Sequence, residues 1–286
     1  AIHDGPGVRM NVYLKGCPLH CIWCHSPESQ RFQPEVVWYE TRCLGCGRCV
    51  QVCPQGVRTL ALMSPAQRDR CTLCGACIAA CAAEALAIAG RQVTAGEIVD
   101  EALRLVPFFA RTGGGVTLTG GEPTAQPDFA YAIGALCHDA GIAVALETCG
   151  AAPWEVFQRL LPVVELFLFD LKHPRPAAHR ELTGADLAVV LDNLRHLVAA
   201  GAQVTARVPL IPGINDDEPT VRALARLAAE RGVRTITLLP YNPATPGKYS
   251  WLRCEPPLPG AQRQSPGTVA RLEAICRQEG LTVVPA

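Results

Sequence analysis

Short apolar stretches alternate with amphipathic ones along most of this chain. Strands are predicted at Asn11 to Lys15, Val116 to Thr119, Ala143 to Glu147, Glu165 to Asp170, Gln203 to Val208 and Arg234 to Leu239. The intervening segments carry helix-start chemistry. Thr94 and Glu97 have capping-box spacing, and Pro153 and Pro266 stand where a first-turn proline is tolerated. Asp186 precedes Leu187, Val190, Leu191, Leu194 and Val198 at helical spacing, with Gly201 closing the helix. Strand-helix alternation of this length predicts parallel βα units in an α/β fold, as a closed barrel, a partial barrel or a doubly wound sheet; six clear units favour an incomplete barrel. Ligands in such folds bind beyond the carboxyl ends of the strands. Those ends read Gly16-Cys17, Thr119-Gly120-Gly121-Glu122, Glu147-Thr148-Cys149-Gly150, Asp170-Leu171-Lys172, Arg207-Val208-Pro209 and Pro240-Tyr241-Asn242, and are predicted to converge on one mouth.

One segment breaks the alternation. From about Glu35 to Gly90 the chain repeats itself at an offset of 28 positions, so that Cys43, Cys46, Cys49 and Cys53 map to Cys71, Cys74, Cys77 and Cys81, and Leu60 maps to Ile88. Each run is a C-x2-C-x2-C-x3-C set of the bacterial ferredoxin type, in which the last cysteine ligates the other cluster. This assigns Cys43, Cys46, Cys49 and Cys81 to one 4Fe-4S cluster and Cys71, Cys74, Cys77 and Cys53 to a second. Pro54 follows Cys53 as the pattern expects, whereas Ala82 follows Cys81. The predicted organisation is a core in two parts, 1–34 and 91–286, around a ferredoxin-like insert at 35–90.

A third cysteine group, Cys17, Cys21 and Cys24, is one ligand short of a cubane set. Three thiolates leave one iron open to something that is not protein, which suits chemistry, whereas the two complete sets suit electron transfer. A structural zinc site is the alternative, but zinc prefers a closed set of four ligands.

Composition narrows the setting. The chain has 286 residues, 49% of them hydrophobic, with 26 basic and 26 acidic side chains, enough to bury a full core. Balanced charge without a basic run argues against nucleic acid, and no apolar run approaches a membrane span. Fifteen cysteines, eleven of them in three tight clusters, without a signal peptide, point to a reducing, anaerobic cytoplasm and a soluble monomer. The chain opens Ala1-Ile2-His3-Asp4-Gly5-Pro6-Gly7 with no initiator methionine, so further N-terminal residues are expected. Lysine occurs only at Lys15, Lys172 and Lys248, each beside a motif, which marks them as sites where arginine would not serve. Cys137 and Cys276 follow apolar residues at helical spacing and read as small buried hydrophobes. Cys149 lies near the mouth without a partner, and Cys254 has no assigned part.

Gly5-Pro6-Gly7-Val8-Arg9, leading through Tyr13-Leu14-Lys15-Gly16 into Cys17-Pro18-Leu19-His20-Cys21-Ile22-Trp23-Cys24-His25, resembles the signature of the glycyl radical enzyme activating enzymes of the radical S-adenosylmethionine (SAM) superfamily. Gly120-Gly121-Glu122-Pro123, Glu147-Thr148-Cys149-Gly150, Asp170-Leu171-Lys172, Ile211-Pro212-Gly213-Ile214-Asn215 and Leu239-Pro240-Tyr241 follow in family order, so the likeness covers nearly the whole chain. The insert is similar to that of the larger members, not to the compact pyruvate formate-lyase type.

The resemblance implies an incomplete (β/α)6 radical SAM barrel, three 4Fe-4S clusters and SAM bound at the open iron of the Cys17, Cys21 and Cys24 cluster. It implies SAM contacts at Trp23, packed on adenine, and at Gly120, Gly121, Glu122, Thr148, Asp170, Lys172, Arg207 and Asn242. The alternative for Trp23 is a core aromatic, and for the acids a cap or surface pair. Glu147, Thr148 and Asp170 match positions around a monovalent cation, and Asp4, Arg9 and His25 match contacts to the partner's glycine loop or else support the turn. Two departures stand out: Asn242 replaces a family histidine, and Ser26 replaces the usual asparagine. The implied reaction is reductive cleavage of SAM to a 5'-deoxyadenosyl radical, which takes hydrogen from a backbone glycine of a partner glycyl radical enzyme. Reduced ferredoxin or flavodoxin is the implied electron donor. Two other readings stay open, a radical SAM enzyme acting on a small molecule or peptide, and a plain electron carrier or zinc module.

Overall fold

The computed structural model describes residues 4–60 and 63–285. Among the described residues nine strands occur: β1 (Arg9–Leu14), β2 (Glu35–Trp38), β3 (Leu86–Ala89), β4 (Gly115–Gly120), β5 (Ala143–Thr148), β6 (Leu166–Asp170), β7 (Gln203–Leu210), β8 (Thr235–Pro240) and β9 (Thr282–Val283). Seven form one sheet in the order β1-β4-β5-β6-β7-β8-β9, and every adjacent pair is parallel. The six expected strands are all present, each end within two residues of its predicted place. β9 was not foreseen, because two residues carry no period.

The parallel arrangement puts all carboxyl ends at one edge, and the alternation within each strand sorts the two faces. Val12, Leu14, Val116, Leu118, Val144, Leu146, Phe167, Phe169, Val208, Leu210, Ile236 and Leu238 join the main core. The residues between them are largely polar: Arg9, Asn11, Thr117, Thr119, Glu147, Asp170, Arg207 and Thr237. A parallel strand buried on both faces usually reads as a continuous apolar run; here the second face is built for ligands or charges.

Helices cover the apolar face. Those at Ala95–Leu103, Pro127–Asp139, Trp154–Leu160 and Leu187–Ala199 pack in succession, and Glu218–Ala229 packs on Pro266–Gln278. The predicted signals operate as expected at three starts. Thr94 and Glu97 form a reciprocal capping box, Asp186 caps through Ala188 N, and Pro266 occupies the first turn behind Ser265. Pro153 lies one residue earlier than expected, at the N-cap of its helix. Cys137 and Cys276 are fully buried in the core.

The insert departs from the main sheet as an antiparallel pair, with Glu35 opposite Ala89 and Trp38 opposite Leu86, enclosing both cysteine runs. The repeat is visible in three dimensions. Short helices Arg48–Gln51 and Ala76–Ala79 are each entered from a left-handed glycine, Gly47 (φ 71°) and Gly75 (φ 78°), a conformation glycine adopts without steric cost.

Phe167 is fully buried at the centre of the apolar face, against Phe157 at 6.5 Å between ring centroids. Phe167→Ala is expected to cost about 3–5 kcal/mol of stability. Urea unfolding checks this, and a loss below about 1 kcal/mol would mean that the site collapses around the void.

Candidate active site

The cysteine loop is stitched to the first strands through backbone. Gly121 N donates to Leu14 O at 2.7 Å, Glu122 N to Gly16 O at 2.8 Å, and Gly16 N to Ser29 O at 2.7 Å. A Cβ on Gly121 would lie 2.3 Å from Gly16 O, and one on Gly120, whose φ is +110°, 2.5 Å from Leu14 N. The Gly120-Gly121 pair therefore permits close approach to the chain entering the loop. The far side of the loop hangs from the end of the helix at Pro176–Thr183, by His20 N to Thr183 O (2.9 Å) and Ile22 N to Leu182 O (3.1 Å).

Cys17, Cys21 and Cys24 are each partly exposed on this loop. Burial pushes the Cys17 thiol up to about 12 and Cys24 up to about 11, and raises Cys21 as well. Cys17 and Cys21 pack with Leu19, Cys149 and Ala185, while Trp23 is buried with Ile211 and Tyr241. Facing the loop is Lys172, 8% exposed. Burial works against its charge, but Asp170, Cys21 and Cys149 outweigh it and hold the ammonium well above its ordinary range.

Charges on the polar face form one network. Arg207 donates through Nε to Asp170 Oδ1 at 2.9 Å and through Nη1 to Glu147, which also accepts from Thr119 Oγ1. Lys172 Nζ donates to Asp170 Oδ2 at 2.8 Å. Despite burial, Arg207 and Lys172 hold the Asp170 carboxyl below its usual range, whereas burial outweighs Arg207 at Glu147 and raises its pKa. Two acids and two bases balance.

Glu122 is 2% exposed and ties two loops together. Its Oε1 accepts from Thr124 N (3.1 Å), Thr124 Oγ1 (2.7 Å) and Thr148 Oγ1 (2.9 Å), and Oε2 accepts from Cys149 N (2.7 Å). Thr148 is thus turned toward Glu122. Asn215, fully buried, links Lys172 O and Pro209 O, each at 2.8 Å, and accepts from Ile211 N. Thr124 and the bridging role of Asn215 escaped sequence reasoning, although the Ile-Pro-Gly-Ile-Asn motif marked the segment.

The structure gathers most of the expected residues, with one clear exception. Asp4 accepts from Asn11 Nδ2 and, through its carbonyl, from Thr117 Oγ1, so it lies on the polar face. His25 Nε2 is 3.0 Å from Asn242 Nδ2, which brings a predicted partner contact to a departing position. Ser26, the other departure, meets Lys248 Nζ at 3.3 Å, and Lys248 also pairs with Glu28 at 2.8 Å. Arg9 is elsewhere. It begins β1, at the amino end of the sheet opposite the cysteine loop, is 4% exposed, and donates to Thr117 Oγ1, Val116 O and Ala143 O. This corrects its expected place at a partner surface or in the strand-to-loop turn: the long side chain fills the polar face at its base.

The insert cysteines range from buried Cys77 to exposed Cys46 and Cys74. Among the described residues no three His, Cys, Asp or Glu side chains converge on a single-ion site. A cubane takes one thiolate at each iron, so its ligands surround a volume instead of a point. Local features suit thiolates. The Gly45 N–H and the Trp38 indole lower the Cys43 pKa, and four backbone N–H groups from Gln55 to Arg58 outweigh burial to lower that of Cys53. The Trp38 indole N–H is buried and directed at the Cys43 sulfur.

A parallel α/β sheet carrying these loops defines a radical SAM protein, and the chain matches the Radical SAM superfamily over residues 68–228 and the 4Fe-4S binding domain over 36–59. It is 41% identical to the choline trimethylamine-lyase activating enzyme of Oleidesulfovibrio alaskensis, over 97% of this chain and 92% of the relative. The isethionate sulfite-lyase activating enzyme of Nitratidesulfovibrio vulgaris matches at the same identity and coverage. Among solved structures, a domain of the pyruvate-formate lyase-activating enzyme from Bacteroides vulgatus superposes with a TM-score of 0.51 at 28% identity, covering 60% of this chain and 99% of that domain. The chain belongs to the glycyl radical enzyme activating enzymes of the radical SAM superfamily. No helix among the described residues is long and apolar enough to cross a membrane.

Arg207→Met would leave Glu147 and Asp170 buried beside one remaining cation, an expected loss of about 3–5 kcal/mol near neutral pH. The cost should shrink in acid. Asp170, with its lowered folded pKa, contributes stability above the ordinary carboxylate pKa and loses it as pH falls through the folded value, so wild type falls toward the variant. Urea unfolding at several pH values checks this; a gap independent of pH would refute the charge-network account.

Proposed function

We propose that the chain is a radical SAM activase with three 4Fe-4S clusters, acting on a separate glycyl radical enzyme. The observation that carries the reading is the Cys17, Cys21 and Cys24 loop, one ligand short of a cubane set, facing Lys172 and the charged network at the carboxyl ends of β4 to β7. When bound, the loop cluster supplies one electron to the SAM sulfonium, giving methionine and a 5'-deoxyadenosyl radical that takes a hydrogen atom from the partner's glycine.

The chain's own residues do the positioning. The three cysteines would hold the cluster by one thiolate each, leaving one iron for a ligand supplied by SAM. Lys172 and Arg207 supply fixed positive charge toward the SAM carboxylate. Glu122 keeps the Thr148-Cys149 loop and the Gly120-Gly121 turn in register. Trp23 offers its ring from the cluster with Ile211 and Tyr241, and Asn242 with His25 forms the rim beside the loop. Asp4 lies on the polar face, where a glycine loop would enter, and the sheet in this reading is an incomplete (β/α)6 barrel with that face inward. The insert relays electrons from reduced ferredoxin or flavodoxin. Arg207 and Lys172 are shared between the SAM carboxylate and the acids Glu147 and Asp170, so Glu147, Thr148 and Asp170 would accept a monovalent cation beside it, and SAM cleavage should be faster in potassium than in tetramethylammonium buffer. Equal rates in the two buffers would remove the cation from the reading.

Identities of 41% to activases of choline trimethylamine-lyase, isethionate sulfite-lyase and, from Thauera aromatica, benzylsuccinate synthase do not single out a partner. Those three lyases and synthases form the first test panel. Anaerobically reconstituted protein is expected to hold about twelve irons. Reduced and given SAM, it should raise a glycyl doublet in electron paramagnetic resonance on one panel member. Release of 5'-deoxyadenosine with no doublet on any partner would favour a small-molecule substrate, and about eight irons with no SAM cleavage would favour an electron carrier.

A further inference from the structure

Two buried arginines meet between the insert and the main sheet domain, and the reaction described above uses neither. Arg58 is 5% exposed and Arg253 3%. Together with Arg31, Arg68, Cys71 and Leu252 they line a cavity of about 300 Å³. They face different cysteine sets. The charge of Arg58 is felt at Cys77, and its backbone N–H points to Cys53; the charge of Arg253 is felt at Cys43 and Cys49. Burial and the neighbouring Arg58 both lower the Arg253 pKa, so the two guanidiniums repel across this cavity. A net-negative cluster with four thiolates on each side relieves that repulsion. Of the carboxylates nearby, Glu35 is surrounded by Lys15, Arg31 and Arg68, Asp69 pairs with Arg31, and Glu40 acts on Arg253 at longer range.

Arg253 is also held where its backbone is strained. It follows the helix Thr245–Trp251, whose cap is Leu252, and Cys254 N donates to Tyr249 O (3.0 Å) while Arg253 N donates to Ser250 O (2.9 Å). That is a Schellman closure, whose left-handed position is normally glycine. Arginine occupies it with φ +54°, at a cost of order 1 kcal/mol or more. Its side chain then stacks on Trp38, 4.1 Å from the ring centroid, at the end of β2 and five residues before Cys43. The same helix reaches the other way. Tyr249 Oη donates to Cys24 O at 3.1 Å, Lys248 holds Ser26 and Glu28, and the Trp251 ring meets Tyr39 edge-on at 5.5 Å.

We propose that Arg253 is a positioning residue for electron delivery: stacked on Trp38, it raises the reduction potential of the cluster held by Cys43, Cys46, Cys49 and Cys81 and docks that cluster against the helix that supports Cys24. This cluster is then the last stop before the loop cluster. A low-potential one-electron donor of the iron-sulfur or flavin class reduces the insert, and the same electron leaves toward the loop; no atom or proton is transferred. The proposal rests on the reading that the insert binds two clusters.

The test uses reconstituted, full-length Arg253→Gly, which relieves the backbone strain while removing the charge, with Arg253→Lys beside it. In a redox titration followed by electron paramagnetic resonance, the glycine variant should keep its iron while one insert midpoint falls by at least a tenfold weaker reduction equilibrium, about 59 mV for one electron. The other insert cluster and the SAM-bound loop cluster should keep their potentials, and lysine should recover most of the shift. Unchanged insert midpoints in the glycine variant, or a shift confined to the loop cluster, would overturn the proposal. Should the glycine variant lose four irons, retention by the lysine variant supports it and equal loss overturns it. Wild-type protein without insert clusters would remove the underlying reading, an outcome distinct from unshifted midpoints.

Discussion

The arrangement depends on one guanidinium. Arg207 spans from β7 to Asp170 on β6 and Glu147 on β5, and so ties three adjacent strands on their polar face. A lysine in its place could neutralise charge but could not aim two planar donors at two carboxylates. The pairing lets the sheet keep ionised groups at the carboxyl ends of its strands, where desolvation alone would have driven both acids to protonate. Lys172 completes the balance and turns its ammonium toward the cysteine loop.

Much of this was legible in the chain because two periods were present together. Alternation along β4 to β8 placed one apolar set toward the helices and left Thr119, Glu147, Asp170 and Arg207 on the other face, so the strand ends could be read as one mouth. The cysteine spacings were legible for a different reason: cluster ligation demands fixed separations, and the 28-residue repeat recurs as paired glycine-entered helices at Gly47 and Gly75. What escaped notice depends on contacts distant in sequence. Arg9 sits in a family motif, yet the strand direction sends it to the opposite end of the sheet from Cys17. The Glu122 carboxylate looked available for a ligand, whereas four protein donors from two loops converge on it.

The segment after β8 was the least readable. Thr245–Trp251 carries proline, glycine and aromatics without a clean helical stripe, because its neighbours are the cysteine loop on one side and the insert on the other, not the main core. Its aromatic and charged side chains, Lys248, Tyr249 and Trp251, all make contacts outside their own element. The two departures from the family pattern, Ser26 and Asn242, border this same segment. Ser26 meets Lys248, and Asn242 precedes the helix and touches His25, so both positions belong to the contacts between this segment and the loop.

The loop cysteines carry a further consequence. Their thiols are held neutral by burial, and only the anionic form ligates iron. Building the cluster is therefore an exchange of protons for iron, in which Lys172 is the resident positive charge that makes each departing proton easier to lose. Each thiol that joins the cluster gives up one proton, so burial, which favours the neutral thiol, is set against iron, which binds only the thiolate.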